Sequence, residues 1–161
     1  MKGATAFERN MRALVKYWMP AILWMALIFV GSTDLLSAEH TSRFLVPFLR
    51  WLDPQISWTA LNEIQMVVRK LGHVTEYAVL AALLWRAVRG VAGWQTKMSI
   101  LFAVVGFGCA IFAVSDEFHQ SFVSSRTASG NDVLIDISGA LIGLAICIVV
   151  AGRKVVREKH A

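Results

Sequence analysis

The sequence predicts an all-α polytopic membrane protein with four transmembrane helices and an interfacial outer segment between the first and second. Three observations predict it. The chain has 161 residues, 57% of them apolar, with three prolines and no Gly/Ser-rich linker. Its apolar residues come in blocks of the length that crosses a hydrocarbon core, about 30 Å or roughly 20 helical residues. Its basic and acidic residues collect at opposite ends of those blocks. In hydrocarbon such blocks must be helices, because nothing there pairs with an open backbone group. The length sets a single domain over residues 1–161.

The first span runs from Tyr17 to about Leu36 and holds "YWMPAILWMALIFVGS", with Pro20 near its start, where a missing N–H is tolerated. Arg9, Arg12 and Lys16 precede it as in a signal peptide, but "LLSAEH" puts Leu36 at −3 for cleavage after Ala38, so a retained helix is expected. The second span, about 70–88, is the least apolar, since "KLGHVTEYAVLAALLWRAV" carries Lys70, His73 and Glu76 in its first turns. The third covers about 98–118 and the fourth about 132–152, with Asp136 inside the fourth.

Between the first two spans lies the outer segment, residues 37–69. Its "RFLVPFLRWLDP" is apolar and aromatic with two arginines, a composition suited to the membrane interface, where Trp51 and Trp58 would sit at headgroup level. Leu61, Ile64, Val67, Val68 and Leu71 follow at helical spacing, so an amphipathic helix leads into the second span. An interfacial anchor is the simpler reading of this segment and a lid the alternative.

Charge orients the bundle. Of the 16 Lys and Arg residues, all but Arg43, Arg50, Arg69, Lys70 and Arg126 fall on the side of the two chain ends and the connection between spans two and three. Of the 11 acidic residues, all but Glu8 and Glu158 fall on the other side. The positive-inside bias then puts both termini in the cytoplasm. The net charge of +5 is therefore a topology signal and not a nucleic-acid footprint. Cys109 and Cys147 lie mid-helix as small apolar residues, and no disulfide framework is indicated.

That topology delivers polar residues from three helices to one outer depth: Lys70, His73 and Glu76; Asp116, Glu117, His119 and Gln120; Asp132 and Asp136. Lys70, His73 and Tyr77 fall at i, i+3 and i+7, while Asp132, Asp136, Gly139 and Gly143 form a stripe whose glycines admit a neighbouring backbone. A charge costs about 2.5–3.5 kcal/mol at the centre of an inserted helix, so a convergent set of both signs points to a functional site. The plainer reading is mutual neutralisation as structural glue.

These residues resemble the VanZ-like membrane proteins. "RKLGHVTEYAVLAALLWR" followed by "SDEFHQSFVSSRTASGNDVLIDISGALIG" is similar to that family's Lys-x-x-His-x-x-x-Tyr and Asp-Glu-x-x-Gln patterns, with an arginine and an aspartate leading into a glycine-spaced helix. The resemblance covers about residues 17–151 and carries over to Lys70, His73, Tyr77, Asp116, Glu117, Gln120, Arg126, Asp132, Gly139 and Gly143. Arg69 stands where many relatives have aspartate, and Asp136 where asparagine is usual. The resemblance implies a bacterial envelope location and a link to low-level teicoplanin resistance, without implying a reaction.

The residues themselves point to a pocket that binds, and in its stronger form chemically alters, an anionic lipid or lipid-linked cell-wall precursor headgroup at the outer leaflet. Lys70 and Arg126 would hold phosphate or carboxylate, and Asp132 would orient Arg126. His73 with Asp116 or Glu117 would form the acid/base pair. Tyr77, Gln120 and Asp136 complete the ligand-binding set. The residues leave the cofactor open, and metal binding by His73-x-x-Glu76, completed by Asp116, Glu117 and His119, is a subordinate reading, since the spacing reverses the usual Glu-x-x-His and Lys70 nearby opposes a cation. Proton-coupled or solute transport and a non-enzymatic envelope role are the alternatives. Transport is disfavoured because the inner halves of the spans carry no polar track, unless a homo-oligomer supplies one.

Overall fold

The computed structural model describes residues 6–33, 38–93, 95–123 and 129–159. These form five α-helices: α1 (Ala6–Gly31), α2 (Ala38–Leu52), α3 (Trp58–Ala92), α4 (Met98–Gln120) and α5 (Gly130–Lys159). Three of them are long and apolar enough to cross a membrane, over Met11–Gly31, Met98–Gln120 and Gly130–Arg153. The stretch 70–88, expected as a further span, is instead part of the continuous 35-residue α3 and is not among those three. Arg69, Lys70, Glu76, Arg86 and Arg89 dilute its hydropathy.

Contacts along the helices fix their directions. Arg69 meets Asp132 and His73 meets Asp136. Farther along, Gly139 faces Val74 and Gly143 faces Ala78, so α3 and α5 run parallel. At the other end Gly90 faces Tyr17, while Trp24 donates its indole N–H to the Glu76 carbonyl at 2.9 Å, so α1 is antiparallel to α3. Helix α4 opposes α3 and α5, with Tyr77 beside Phe112 and Gly106 beside Leu144. The start of α1 and the finish of α5 thus share one end of the bundle. The polar residues of α3, α4 and α5 share the other.

The tightest seam is α3 on α5. A Cβ added to Gly139 would lie 2.8 Å from the Val74 Cα, and one added to Gly143 would lie 2.8 Å from the Ala78 Cα. Backbone therefore rests on backbone over a full turn. Above and below the seam, Leu80, Ala81, Leu101, Val105, Ala140 and Leu144 form the apolar core.

The outer faces are apolar too: Leu27 is 61% exposed and Phe107 69%. Exposed hydroxyls on these faces bond within their own helices, Thr75 to the Leu71 carbonyl and Ser138 to the Leu134 carbonyl, both at 2.7 Å. A surface of this kind suits hydrocarbon, where a side-chain donor must find its acceptor locally.

One local feature differs from the sequence reading and another extends it. Helix α1 begins at Ala6, so Pro20 sits in its interior and not near its start. A proline there cannot donate to the carbonyl four residues back, and that carbonyl, on Lys16, instead accepts from Arg86 Nη2 at 3.4 Å. The outer segment, for its part, is mostly helical. Helix α2 fills its first half, and α3 already starts at Trp58, where the Ser57 hydroxyl accepts from the Ala60 N–H at 3.2 Å as an N-cap. The Arg50 guanidinium lies 4.3 Å from the Trp58 ring centroid and ties the end of α2 to the start of α3.

Candidate functional site

A cavity of about 360 Å³ opens at the polar end of the bundle. Thr41 and Leu45 of α2 form one wall, Ser32 closes the end of α1, and Gln120 reaches in from α4. The largest share comes from one face of α3, where Asn62, Gln65, Arg69, Gly72 and Glu76 recur at alternating steps of three and four, with His73 beside them. Helix α2 therefore borders the cavity while turning Phe44, 82% exposed, and Trp51, 77% exposed, outward.

Three polar groupings surround this space. His73 Nδ1 lies 2.9 Å from Asp136 Oδ1, with Asp136 1% exposed. A carboxylate at that position accepts from Nδ1–H, the neutral tautomer whose lone pair is on Nε2. This contact follows from the glycine seam: with Gly139 locked against Val74, the preceding turn of α5 brings Asp136 to the residue before Val74. The second grouping is Ser32, Asp116 and Gln120. Asp116 Oδ2 accepts from Ser32 Oγ at 2.7 Å and from Gln120 Nε2 at 3.1 Å, joining α1 to α4. In the third, Arg69 Nη2 donates to Asp132 Oδ2 at 3.3 Å.

Several buried acceptors near these groupings have no hydrogen-bond partner among the described residues: Asp116 Oδ1, Gln120 Oε1 and Asp136 Oδ2. The Tyr77 hydroxyl is in the same condition directly beneath His73, one helical turn on. Buried polar atoms are ordinarily satisfied, so this layer has capacity for water or a ligand beyond what the helices supply.

The sequence-expected residues divide accordingly. His73 and Gln120 line the cavity, and Asp116, Asp132 and Asp136 each bond a residue that does. The carboxylate on His73 is Asp136, not Asp116 or Glu117. Glu117 instead accepts from the Ser129 N–H, so it fastens the end of α4 to the approach to α5. Lys70 is exposed, one helical step off the cavity face, and its neighbour Arg69 is the base that meets Asp132. Tyr77 is wholly buried, its ring 6.2 Å from that of Phe112. His119 stacks on Phe29 with centroids 3.9 Å apart. Arg126 lies outside the described residues.

A family model for VanZ/LLP1 matches residues 17–151. The chain belongs to the VanZ/LLP1 family. No curated protein and no solved structure matches it. In this VanZ/LLP1 chain the matched region contains the whole cavity layer, from Ser32 to Asp136. Among the described residues no three His, Cys, Asp or Glu side chains are grouped as metal ligands.

Ser32 and Arg69 are the site residues that sequence reasoning missed. Arg69 was legible in principle, because it stands four residues before His73 on the polar stripe that begins at Asn62. Ser32 carried no such signal, since its partner Asp116 lies 84 residues away.

Proposed function

We propose that this VanZ/LLP1 protein is a four-span protein of the bacterial inner membrane that binds the anionic headgroup of a membrane lipid or lipid-linked cell-wall precursor in the cavity bordered by α2. The observation that carries the reading is His73, held through Nδ1 by buried Asp136 and facing a cavity that also contains the Arg69 side chain. A guanidinium supplies a planar fork for phosphate or carboxylate. An imidazole oriented by a carboxylate supplies a proton acceptor or donor beside it. Arg69 and Arg126 would hold the headgroup, Gln120 and Ser32 would bond its oxygens, and His73 with Asp136 would move a proton if the ligand is chemically altered.

The fourth crossing in this reading is α3, which at 1.5 Å per residue is about 50 Å long. It lies parallel to α5 from the Arg69–Asp132 contact to the Ala78–Gly143 contact and beyond, so it crosses wherever α5 does. Its polar stripe faces inward, which supports a span that a composition average undervalues. The basic residues at the end shared by α1's start and α5's finish support cytoplasmic termini, with the cavity at the outer leaflet. Interior residues such as Leu80, Leu101 and Leu144 below the polar layer speak for a binding site rather than a transport path.

The test is native mass spectrometry of protein gently extracted from its own membrane, comparing wild type, Arg69→Ala and His73→Asn. One lipid or lipid-linked species should accompany the wild type, remain on His73→Asn and be lost from Arg69→Ala. Identical lipids on all three, or none, would sink the headgroup reading. If the species is a cell-wall precursor, deletion of the gene should shift teicoplanin susceptibility. An unshifted value would separate this protein from that phenotype.

A further inference from the structure

A second opening, about 350 Å³, lies at the opposite end of the bundle between α1, α3 and α5. Its construction is independent of the cavity beside α2. Gly90 forms the floor: a Cβ there would come within 2.7 Å of the Tyr17 ring carbons, so the ring lies directly on the α3 backbone. The Arg86 guanidinium is 5.5 Å from the centroid of that ring, and Lys16 Nζ is 5.6 Å from it. Arg86 is further fixed by the Lys16 carbonyl that Pro20 leaves without its helical donor. The sequence thus places two cations over one aromatic ring and holds one of them from both sides.

Arg89 adds a second guanidinium to the lining, and no acidic side chain lines this opening among the described residues. The remaining wall is Ile146, Cys147 and Val150 of α5, with Ile146 57% exposed and Val150 49%. Those residues continue from the charged rim toward the middle of the bundle. A cationic rim over an apolar wall is the complement of a molecule with an anionic head and a hydrocarbon chain, placed where a basic pocket between membrane helices meets lipid headgroups.

We propose that this groove binds one diacyl phospholipid with an anionic headgroup, its phosphate on Arg86 and Arg89 and one acyl chain along Ile146, Cys147 and Val150. The lipid is a bound companion of the leaflet at the end shared by α1's start and α5's finish. It differs from the ligand of the other cavity and does not rest on that reading.

The test titrates purified protein in detergent with phosphatidylglycerol or with phosphatidylcholine of the same chains. Native mass spectrometry counts adducts, and alkylation of Cys147 reports where they sit, since Cys109 is buried. Phosphatidylglycerol should bind more tightly and slow Cys147 alkylation. Arg86→Gln should weaken that adduct about fivefold, the size of one basic residue's interaction with an anionic surface, and remove the protection. Arg153→Gln removes an exposed charge from the same end without touching the groove, and should change neither readout. Equal binding of the two lipids, equal weakening by both variants, or alkylation indifferent to phosphatidylglycerol would each overturn the proposal.

Discussion

Asp136 is the residue on which the polar layer turns. It is buried, bonded to His73 through one oxygen, and its second oxygen has no partner among the described residues. Removing one member of a buried hydrogen-bonded pair leaves the other unsatisfied, which costs about 1–3 kcal/mol and more where that group is charged, whereas replacing both with apolar residues is often nearly neutral. His73→Leu should therefore lower the thermal unfolding temperature in detergent sharply, and His73→Leu with Asp136→Leu should restore most of it. The lipid, held by Arg69, should remain on both variants, while any chemical change to it should be lost from both. A double variant that regains stability and still alters the lipid would reduce the pair to structural glue. The sequence made His73 legible as an acid/base candidate, because an imidazole in an apolar helix with carboxylates at the same depth stands out. Its partner was not legible: Asp116, Glu117 and Asp136 all reach that depth, and only the rotation of each helix, set by packing, decides which one faces the ring. The same uncertainty of about 100° per residue exchanged Lys70 for Arg69.

At the scale of elements, the α3–α5 seam converts a sequence stripe into a site. The spacing of Asp136, Gly139 and Gly143 announced a close backbone approach, and the structure supplies the partner as Val74 and Ala78. Overfilling a well-packed contact costs typically about 1–3 kcal/mol. Gly139→Ala and Gly143→Ala should each destabilise by about that much, and Gly139→Ala should also disturb ligand binding, because it lies one turn from Asp136. Gly152→Ala is the control. Nothing lies within 4 Å of its added Cβ, and helix propensity alone favours alanine there by up to about 1 kcal/mol. Thermal unfolding of the three variants in one detergent checks this ordering, and a Gly143→Ala protein as stable as wild type would remove the seam from the explanation. What the sequence did not disclose was the length of α1, since Pro20 read as lying near its start, yet a captured carbonyl lets the helix run through it. The continuity of α3 through its polar stripe was legible, because Leu61, Ile64, Val67, Val68 and Leu71 already repeat at helical spacing ahead of it.

For the whole molecule, the bundle separates its two ends by chemistry. One carries the carboxylates of α4 and α5 and the cavity beside α2, the other Arg86, Arg89 and the start of α1. Helix directions alone fix which residues share an end, and they do not fix which end faces the cytoplasm. The distribution of Lys and Arg does bear on that, since basic residues in short connections are retained on the cytoplasmic side. The loop between α3 and α4 includes exposed Gln95 and ends at Lys97, whereas the loop between α2 and α3 includes exposed Gln55 next to Pro54 and Asp53. In a background of Cys109→Ser and Cys147→Ser, Gln55→Cys should react with a membrane-impermeant maleimide in intact cells. Gln95→Cys should react only after the membrane is opened. This pattern requires α3 to cross the bilayer between the two sites, so it tests the fourth span and the orientation together. Labelling of both positions in intact cells would deny α3 its crossing. The reverse pattern would keep the crossing and put the His73 cavity in the cytoplasmic leaflet, where a cell-wall precursor awaiting export, and not one already displayed outside, would be the ligand to seek.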